Sequence, residues 1–240
     1  MKKQLGILIA LAACIFLVFG SAHATPIPVL DFFITPCFTN CANTSVSYGD
    51  PNSPDPLAPL VGADIVVSAV AGINTPLNAG VVLPVSPLSG RSGNLDFTTG
   101  APIGPWIWGG GPGSSITVSG NISGITGTTL LSGSFGNASV SYSANSFHVA
   151  AASFSDIKNV SLLAFYGMPS TAPDGSPLNY VGNFNLSFLA PFTTTGANFK
   201  STQVLSGDLV NAVPEPGTLL LLGSALTGLG LVRFRKKFKD

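Results

Sequence analysis

Short stretches of alternating apolar and polar residues recur between residues 25 and 212, separated by turns rich in Gly, Pro, Asn and Asp. The clearest is 180–189, where Phe184, Leu186 and Phe188 alternate with polar residues. Because successive side chains of a strand point to opposite faces, this pattern indicates strands with one buried face. No stretch shows a convincing helical period. We therefore predict eight strands, at 64–71, 115–122, 128–135, 138–143, 146–154, 160–166, 180–189 and 197–205.

Strands of this length and spacing are typical of an all-β fold, here an antiparallel β-sandwich or jelly-roll-like domain. A β-solenoid is the alternative, but the chain shows no fixed period of about 20–30 residues. The stretch 25–113 is less regular: 50–60 is a proline-rich loop, and 101–113 is a glycine-rich loop or irregular crossing. No linker divides this region, so we predict one domain over 25–212.

The N-terminal segment 1–24 has the pattern of a signal peptide. Two lysines precede the apolar stretch 5–19, and Ala22 and Ala24 flank His23 in a small-x-small cleavage pattern, so cleavage is predicted before Thr25. An uncleaved N-terminal anchor is one alternative. A lipidated Cys14 is another, but the apolar stretch continues past Cys14, which places that cysteine inside it and not at its end.

The C-terminal segment predicts a membrane helix at 217–232, sixteen residues without a charge. As a helix it spans about 24 Å, against a hydrocarbon core of about 30 Å. A basic cluster follows and marks the cytoplasmic side: Arg233, Arg235, Lys236 and Lys237. The alternative is a buried C-terminal helix of the domain, but such a helix rarely ends in a cluster of cations.

The segment before this helix reads Val213, Pro214, Glu215, Pro216 and Gly217. Followed by an apolar span and a basic end, it resembles the PEP-CTERM sorting signal of Gram-negative bacteria. The two prolines keep the triplet extended and outside the helix. The resemblance covers 213–239 and does not bear on the task of the exported domain.

What the resemblance implies is recognition by exosortase, a multi-pass membrane protease or transpeptidase. It further implies export across the inner membrane, a transient anchor, and a final place at the cell surface or in the extracellular matrix. Proteins with this signal are associated with exopolysaccharide and biofilm. Exosortase, the membrane and exopolysaccharide are therefore the expected partners. We divide the chain into 1–24, the exported domain 25–212, and the sorting signal 213–240.

Charge is scarce and unevenly distributed. The chain has ten cations and ten acids, but seven of the cations lie in the two tails. Between 25 and 212 only Arg91, Lys158 and Lys200 stand against eight aspartates, which leaves a net charge of −5. Nucleic-acid binding requires clustered cations, so this composition argues against it.

Cys37 and Cys41 are the two cysteines that remain after signal removal, and an exported chain favours a disulfide between them. A metal or redox pair is the alternative, but it lacks further ligands. Asp50, Asn52 and Asp55 offer oxygen ligands for calcium in one loop, yet the intervening prolines are equally typical of a plain turn. We predict no metal and no cofactor.

Other residues with possible chemistry favour structural roles. His148 lies in a predicted strand and favours a hydrogen-bonded or surface position, although a Ser-His-Asp triad depends on geometry that the sequence does not give. Trp106 and Trp108 share a face of an extended segment: exposed, they would stack on sugar rings, and buried, they would anchor the loop. We favour burial.

These observations favour a non-enzymatic surface or matrix protein. A carbohydrate-binding module or a carbohydrate-active enzyme is the alternative. Glycosidases use two carboxylates about 5–10 Å apart. No Glu lies between 25 and 212, and Asp96 and Asp156 would pair only by coincidence. We predict no catalytic residue.

Overall fold

The structure is a computed structural model that describes residues 27–38, 41–49, 55, 57–191 and 194–213, and residues 27–214 form one compact unit. The predicted signal peptide, with Ala22 and Ala24, lies outside the described residues. So do the sorting signal from Pro214 onward and the predicted membrane helix at 217–232. In the part that is described, no helix has the length and apolar character needed to cross a membrane.

The described chain contains fourteen strands and one short helix. The strands are β1 (Ile27–Ile34), β2 (Ser45–Tyr48), β3 (Leu60–Ile65), β4 (Val67–Gly72), β5 (Val82–Pro84), β6 (Leu95–Thr98), β7 (Pro102–Gly104), β8 (Ile107–Gly109), β9 (Ser115–Ser119), β10 (Thr129–Ser143), β11 (Ser146–Lys158), β12 (Tyr180–Leu189), β13 (Phe199–Lys200) and β14 (Gln203–Val213). The helix α1 (Val160–Phe165) joins β11 to β12.

All strands belong to one hydrogen-bonded sheet, in the order β13-β2-β3-β6-β9-β10-β11-β12-β14-β1-β4-β5, and the β7–β8 hairpin attaches to β10. Each recorded pairing is antiparallel, from β1 with β14 to β6 with β9. The predicted all-β class and antiparallel pairing are therefore confirmed.

Contacts between distant strands show that the sheet folds over one core. Phe97 of β6 and Phe184 of β12 are four strands apart in the sheet order, yet their ring centroids lie 5.2 Å apart. Phe199 of β13 stacks on Phe147 of β11 at 5.6 Å. Such aromatic contacts contribute about 0.5–1.5 kcal/mol each beyond the burial of apolar area.

Several predicted strands appear with small changes. The stretch 180–189 matches β12, whose residues alternate between buried and exposed along its length. The stretches 128–135 and 138–143 form one strand, β10, with irregular pairing near Asn137. The predicted strand 197–205 is divided between β13 and β14. The less regular stretch 25–113 holds β1 to β8, and 101–113 contains the β7–β8 hairpin.

The prediction of a strand at 160–166 is wrong, because this segment forms α1. Asn159 caps the helix: its side chain accepts a hydrogen bond from the Leu162 amide at 3.1 Å. Leu162, Leu163 and Tyr166 are buried, whereas Val160 is 65% exposed. Buried residues spaced three to four positions apart are typical of a helix. In so short an apolar stretch, the N-cap hydrogen bond of Asn159 outweighs the β-propensity of the residues that follow it.

Candidate functional site

The last described strand leads directly into the predicted sorting signal. β14 ends at Val213, the residue before Pro214. It lies between β12 and β1 in the sheet, so both of its edges are hydrogen-bonded. Leu209 and Asn211 of this strand are fully buried. The segment that follows Val213 therefore begins at a strand held in the interior of the sheet.

The two ends of the described domain lie side by side. Ile27 of β1 pairs with Val213 of β14, and Pro28 pairs with Ala212. Residues opposite each other in antiparallel strands are about 5 Å apart. The described part of the domain therefore begins and ends at neighbouring positions of the sheet, although Ile27 and Val213 are far apart in the sequence.

A shallow depression of about 310 Å³ lies on the outward faces of β10, β11 and β12. Its polar lining is uncharged and consists of amide and hydroxyl side chains. Most of the accessible lining is apolar and comes from Ile107, Ala138, Ala150 and Phe184. The polar lining residues are Asn137, Ser139, Asn183 and Asn185. The sequence did not predict this site, because its residues come from different strands. The order of those strands in the sheet cannot be read from local sequence patterns.

Two aspartates on neighbouring strands were also missed. Asp31 of β1 lies opposite Val210, and Asp208 of β14 lies opposite Phe33. Asp208 is two residues from Val210, so the two carboxyls lie on the same face of the sheet as diagonal neighbours. Burial, together with the charge of Asp208, raises the pKa of Asp31 to about 6. Burial also raises the pKa of Asp208. The side chain of Asn185 donates a hydrogen bond to Asp208.

Comparison with protein families finds a known motif that starts at the end of β14. Residues 212–236 match the PEP-CTERM protein-sorting motif. The chain carries a PEP-CTERM sorting motif. The resemblance predicted from the sequence is thereby confirmed, while the rest of the chain matches no family. No curated protein and no solved structure matches the chain.

In this PEP-CTERM chain the motif implies processing by exosortase. It also implies export and a transient membrane anchor before sorting to the surface. Within the matched range, Ala212 and Val213 belong to β14, so the motif starts inside the described strand.

Cys37 and Cys41 form a disulfide, with their Cα atoms 5.6 Å apart. Cys37 follows β1 and Cys41 precedes β2, so the bond closes the connection between these strands.

In the described ranges, no group of three or more His, Cys, Asp or Glu side chains is arranged to hold a metal ion. Asp55 accepts a hydrogen bond from the Leu57 amide at 2.9 Å, which is turn chemistry, while Asp50 and Asn52 lie outside the described residues.

His148 and the two tryptophans take structural positions. The His148 ring nitrogens lie 2.9 Å from the hydroxyls of Ser146 and Ser187. Trp106 and Trp108 are buried, and their indole nitrogens donate to the carbonyls of Ala197 and Ala58 at 2.9 and 3.2 Å. The interpretation of the tryptophans as buried anchors is therefore confirmed.

The two aspartates considered as a catalytic pair have separate partners. Asp96 and Asp64 both bind the Arg91 guanidinium, with the closest contacts at 2.6 and 2.5 Å. Asp156 forms a buried ion pair with Lys158. Asp96 thus shares Arg91 with Asp64, whereas Asp156 pairs with Lys158 on a different part of the sheet.

Proposed function

We propose that this PEP-CTERM chain is a non-enzymatic surface or extracellular-matrix protein, sorted by exosortase and linked to exopolysaccharide or biofilm. The observation that carries the proposal is the sorting motif at 212–236, which starts within β14. β14 is paired on both sides, so a force on Val213 would act on a strand held by both of its neighbours.

The exposed surface favours a polysaccharide partner. Asn137, Asn183 and Asn185 are exposed beside the depression on β10 to β12. Amides and hydroxyls both donate and accept hydrogen bonds, as sugar hydroxyls do, and they do so without the charge that would select an ionic ligand. A carbohydrate-binding role at this depression is part of the proposal.

Sorting is tested by mass spectrometry of the protein recovered from its own host. We expect a C-terminus near 213–217 in cells with exosortase and an intact tail in cells that lack it. Glu215→Gln should retain the tail, since the segment 213–217 loses its single charged residue. Asp240→Asn also removes one carboxylate and should be processed normally. Removal of the tail that depends on neither exosortase nor Glu215 would contradict the proposal that exosortase sorts this protein.

Polysaccharide binding is tested by co-sedimentation of the full chain with the host's own exopolysaccharide. Asn137→Ala combined with Asn183→Ala should weaken binding at least tenfold, because both amides line the depression. The control is Asn121→Ala, which alters an exposed asparagine outside it. Equal binding by both variants would remove the depression from the proposal, and absence of binding by the native chain would overturn the polysaccharide link.

A further inference from the structure

Three polar side chains are enclosed together in the core. Lys158, one of three cations between residues 25 and 212, has no exposed side-chain surface, and neither has Asp156. Asn211 is fully buried as well. Asp156 and Lys158 share the inward face of β11, and Asn211 reaches them from β14 across the intervening β12.

The Asp156 carboxyl lies between the two nitrogens. Its Oδ2 contacts Lys158 Nζ, and its Oδ1 accepts a hydrogen bond from Asn211 Nδ2 at 2.7 Å. The remaining oxygen, Asn211 Oδ1, is buried and accepts no hydrogen bond from the described part of the chain. One carboxyl therefore contacts an amine and a carboxamide at the same time.

Burial weakens the charged forms of this pair, although two aromatic rings near Nζ favour the cation. Lys158 Nζ lies 5.1 Å from the centroid of the Tyr180 ring and 6.0 Å from that of Phe32. Burial lowers the pKa of Lys158 to about 8 and raises the pKa of Asp156. A proton transfer from Nζ to Oδ2 would give a neutral amine, which is a nucleophile, next to a neutral acid.

We propose that Lys158 and Asn211 join in an intramolecular amide bond, with Asp156 as the proton relay. Nζ, as the neutral amine, attacks Asn211 Cγ; the Nζ–Cγ bond forms, the Cγ–Nδ2 bond breaks, and Nδ2 leaves as ammonia. Asp156, protonated by the first transfer from Nζ, gives that proton to the leaving Nδ2 and takes a second proton from Nζ as the new bond forms. The reaction requires no oxidant or co-reactant, and it leaves Asp156 as a neutral acid.

The product is better suited to the core than the starting groups. A buried ion pair keeps a large desolvation cost, because both charges have left water. The amide removes both charges, and the neutral Asp156 becomes a donor for the new carbonyl oxygen, which has no partner before the reaction. A buried polar group that gains a hydrogen bond stabilises the fold.

The position of the bond would reinforce the anchored end of the domain. Asn211 lies two residues before Val213 on the strand that continues into the sorting motif. A bond to Lys158 would tie β14 to β11 across β12. Tension on the tail would then act on a covalent link in addition to the hydrogen bonds of β14. The proposed bond is independent of the proposed function.

The test is peptide mapping by mass spectrometry of the full chain, purified after export and reduced. We expect trypsin to leave Lys158 uncleaved, in a branched peptide that also contains Asn211. Its mass should be lower than that of its two linear components by one ammonia. A linear peptide that ends at Lys158, separate from the one with Asn211, would overturn the proposal. Loss of one water through a Lys158–Asp156 link would also overturn it.

Three variants add independent checks. Lys158→Met removes the nucleophile, and Asp156→Asn removes the relay, so both should yield only linear peptides. Asn211→Asp should lose water in place of ammonia and give a branched peptide of the same mass as the native one, since both reactions end in the same amide. As the control for these three variants, Lys200→Arg alters an exposed lysine but keeps the trypsin cleavage site, and it should still yield the branched peptide. Branched peptide in Lys158→Met would rule out the assigned residue.

Discussion

Ile27 pairs with Val213, so the first and last described residues of the domain are neighbours across β1 and β14. The pair marks the end of the sheet from which the chain continues toward the predicted signal cleavage site on one side and the sorting motif on the other. A membrane anchor attached at this point would act on β1 and β14, two adjacent strands that are each paired on both sides.

Leu209 tests how far the fold depends on the anchored strand. It is fully buried in β14, so Leu209→Ala should lower the free energy of unfolding by about 2–5 kcal/mol, through lost burial and a residual cavity. The control is Val181→Ala, at a 41% exposed position of β12, where we expect a change of about 0.5 kcal/mol or less. Denaturant unfolding measures both, and equal effects would contradict a structural role for β14.

Asp31 should make the domain less stable as pH rises from about 4 to about 6. In this window the folded state keeps a proton on Asp31, whose pKa is about 6, while the unfolded chain has already lost it from a carboxyl with the ordinary pKa of 3.8. Below about pH 4, Asp31 is protonated in both the folded and the unfolded state, so it does not affect stability. Above about pH 6 it is ionised in both states, and the full loss of stability has been reached. Asp31→Asn should flatten this slope and stabilise the domain at pH 7 by about 1–2 kcal/mol.

Thermal unfolding at several pH values measures this effect. Asp174→Asn serves as the control, because Asp174 is exposed in a turn. A steep slope that persists between pH 4 and 6 in Asp31→Asn would show that another group is responsible.

Asn159 should stabilise α1 and its connection to the sheet. Its Oδ1 accepts from the Leu162 amide, and its Nδ2 donates to the carbonyls of Thr126 and Thr129 at 2.9 and 3.2 Å. Loss of an N-cap costs about 1–2 kcal/mol, so Asn159→Ala should lower the melting temperature by several degrees. Asn159→Asp retains the acceptor and should recover part of the loss. Differential scanning calorimetry distinguishes the variants, and no difference between them would argue against the cap.

Gly182 should tolerate no side chain. A Cβ there would lie 2.7 Å from Asn211 Nδ2 and would also overlap the Phe154 ring. Overpacking a core costs about 1–3 kcal/mol, so Gly182→Ala should destabilise the domain by this amount. At Gly104 the nearest atom to a new Cβ is 3.7 Å away, which makes Gly104→Ala the matched control. Equal chemical denaturation midpoints for the two variants would contradict the close packing at Gly182.

Local patterns sufficed for the elements whose signal is contained in a few residues. Alternation defined β12, and the proline-flanked Glu215 with its apolar span and cations defined the sorting motif. The same reasoning failed at 160–166, because seven residues are too few to distinguish a helical period from that of a strand. β1 was missed because Ile27–Ile34 is almost continuously apolar and does not alternate.

Local patterns in the chain were enough to predict the all-β class, the sorting motif and the scarcity of charge. The pairing of Ile27 with Val213, the proximity of Asp31 to Asp208, and the position of Asp156 between Lys158 and Asn211 emerge only from the folded domain. A strand's period is set by its own backbone, whereas its neighbours and its register depend on which apolar faces the whole chain buries together.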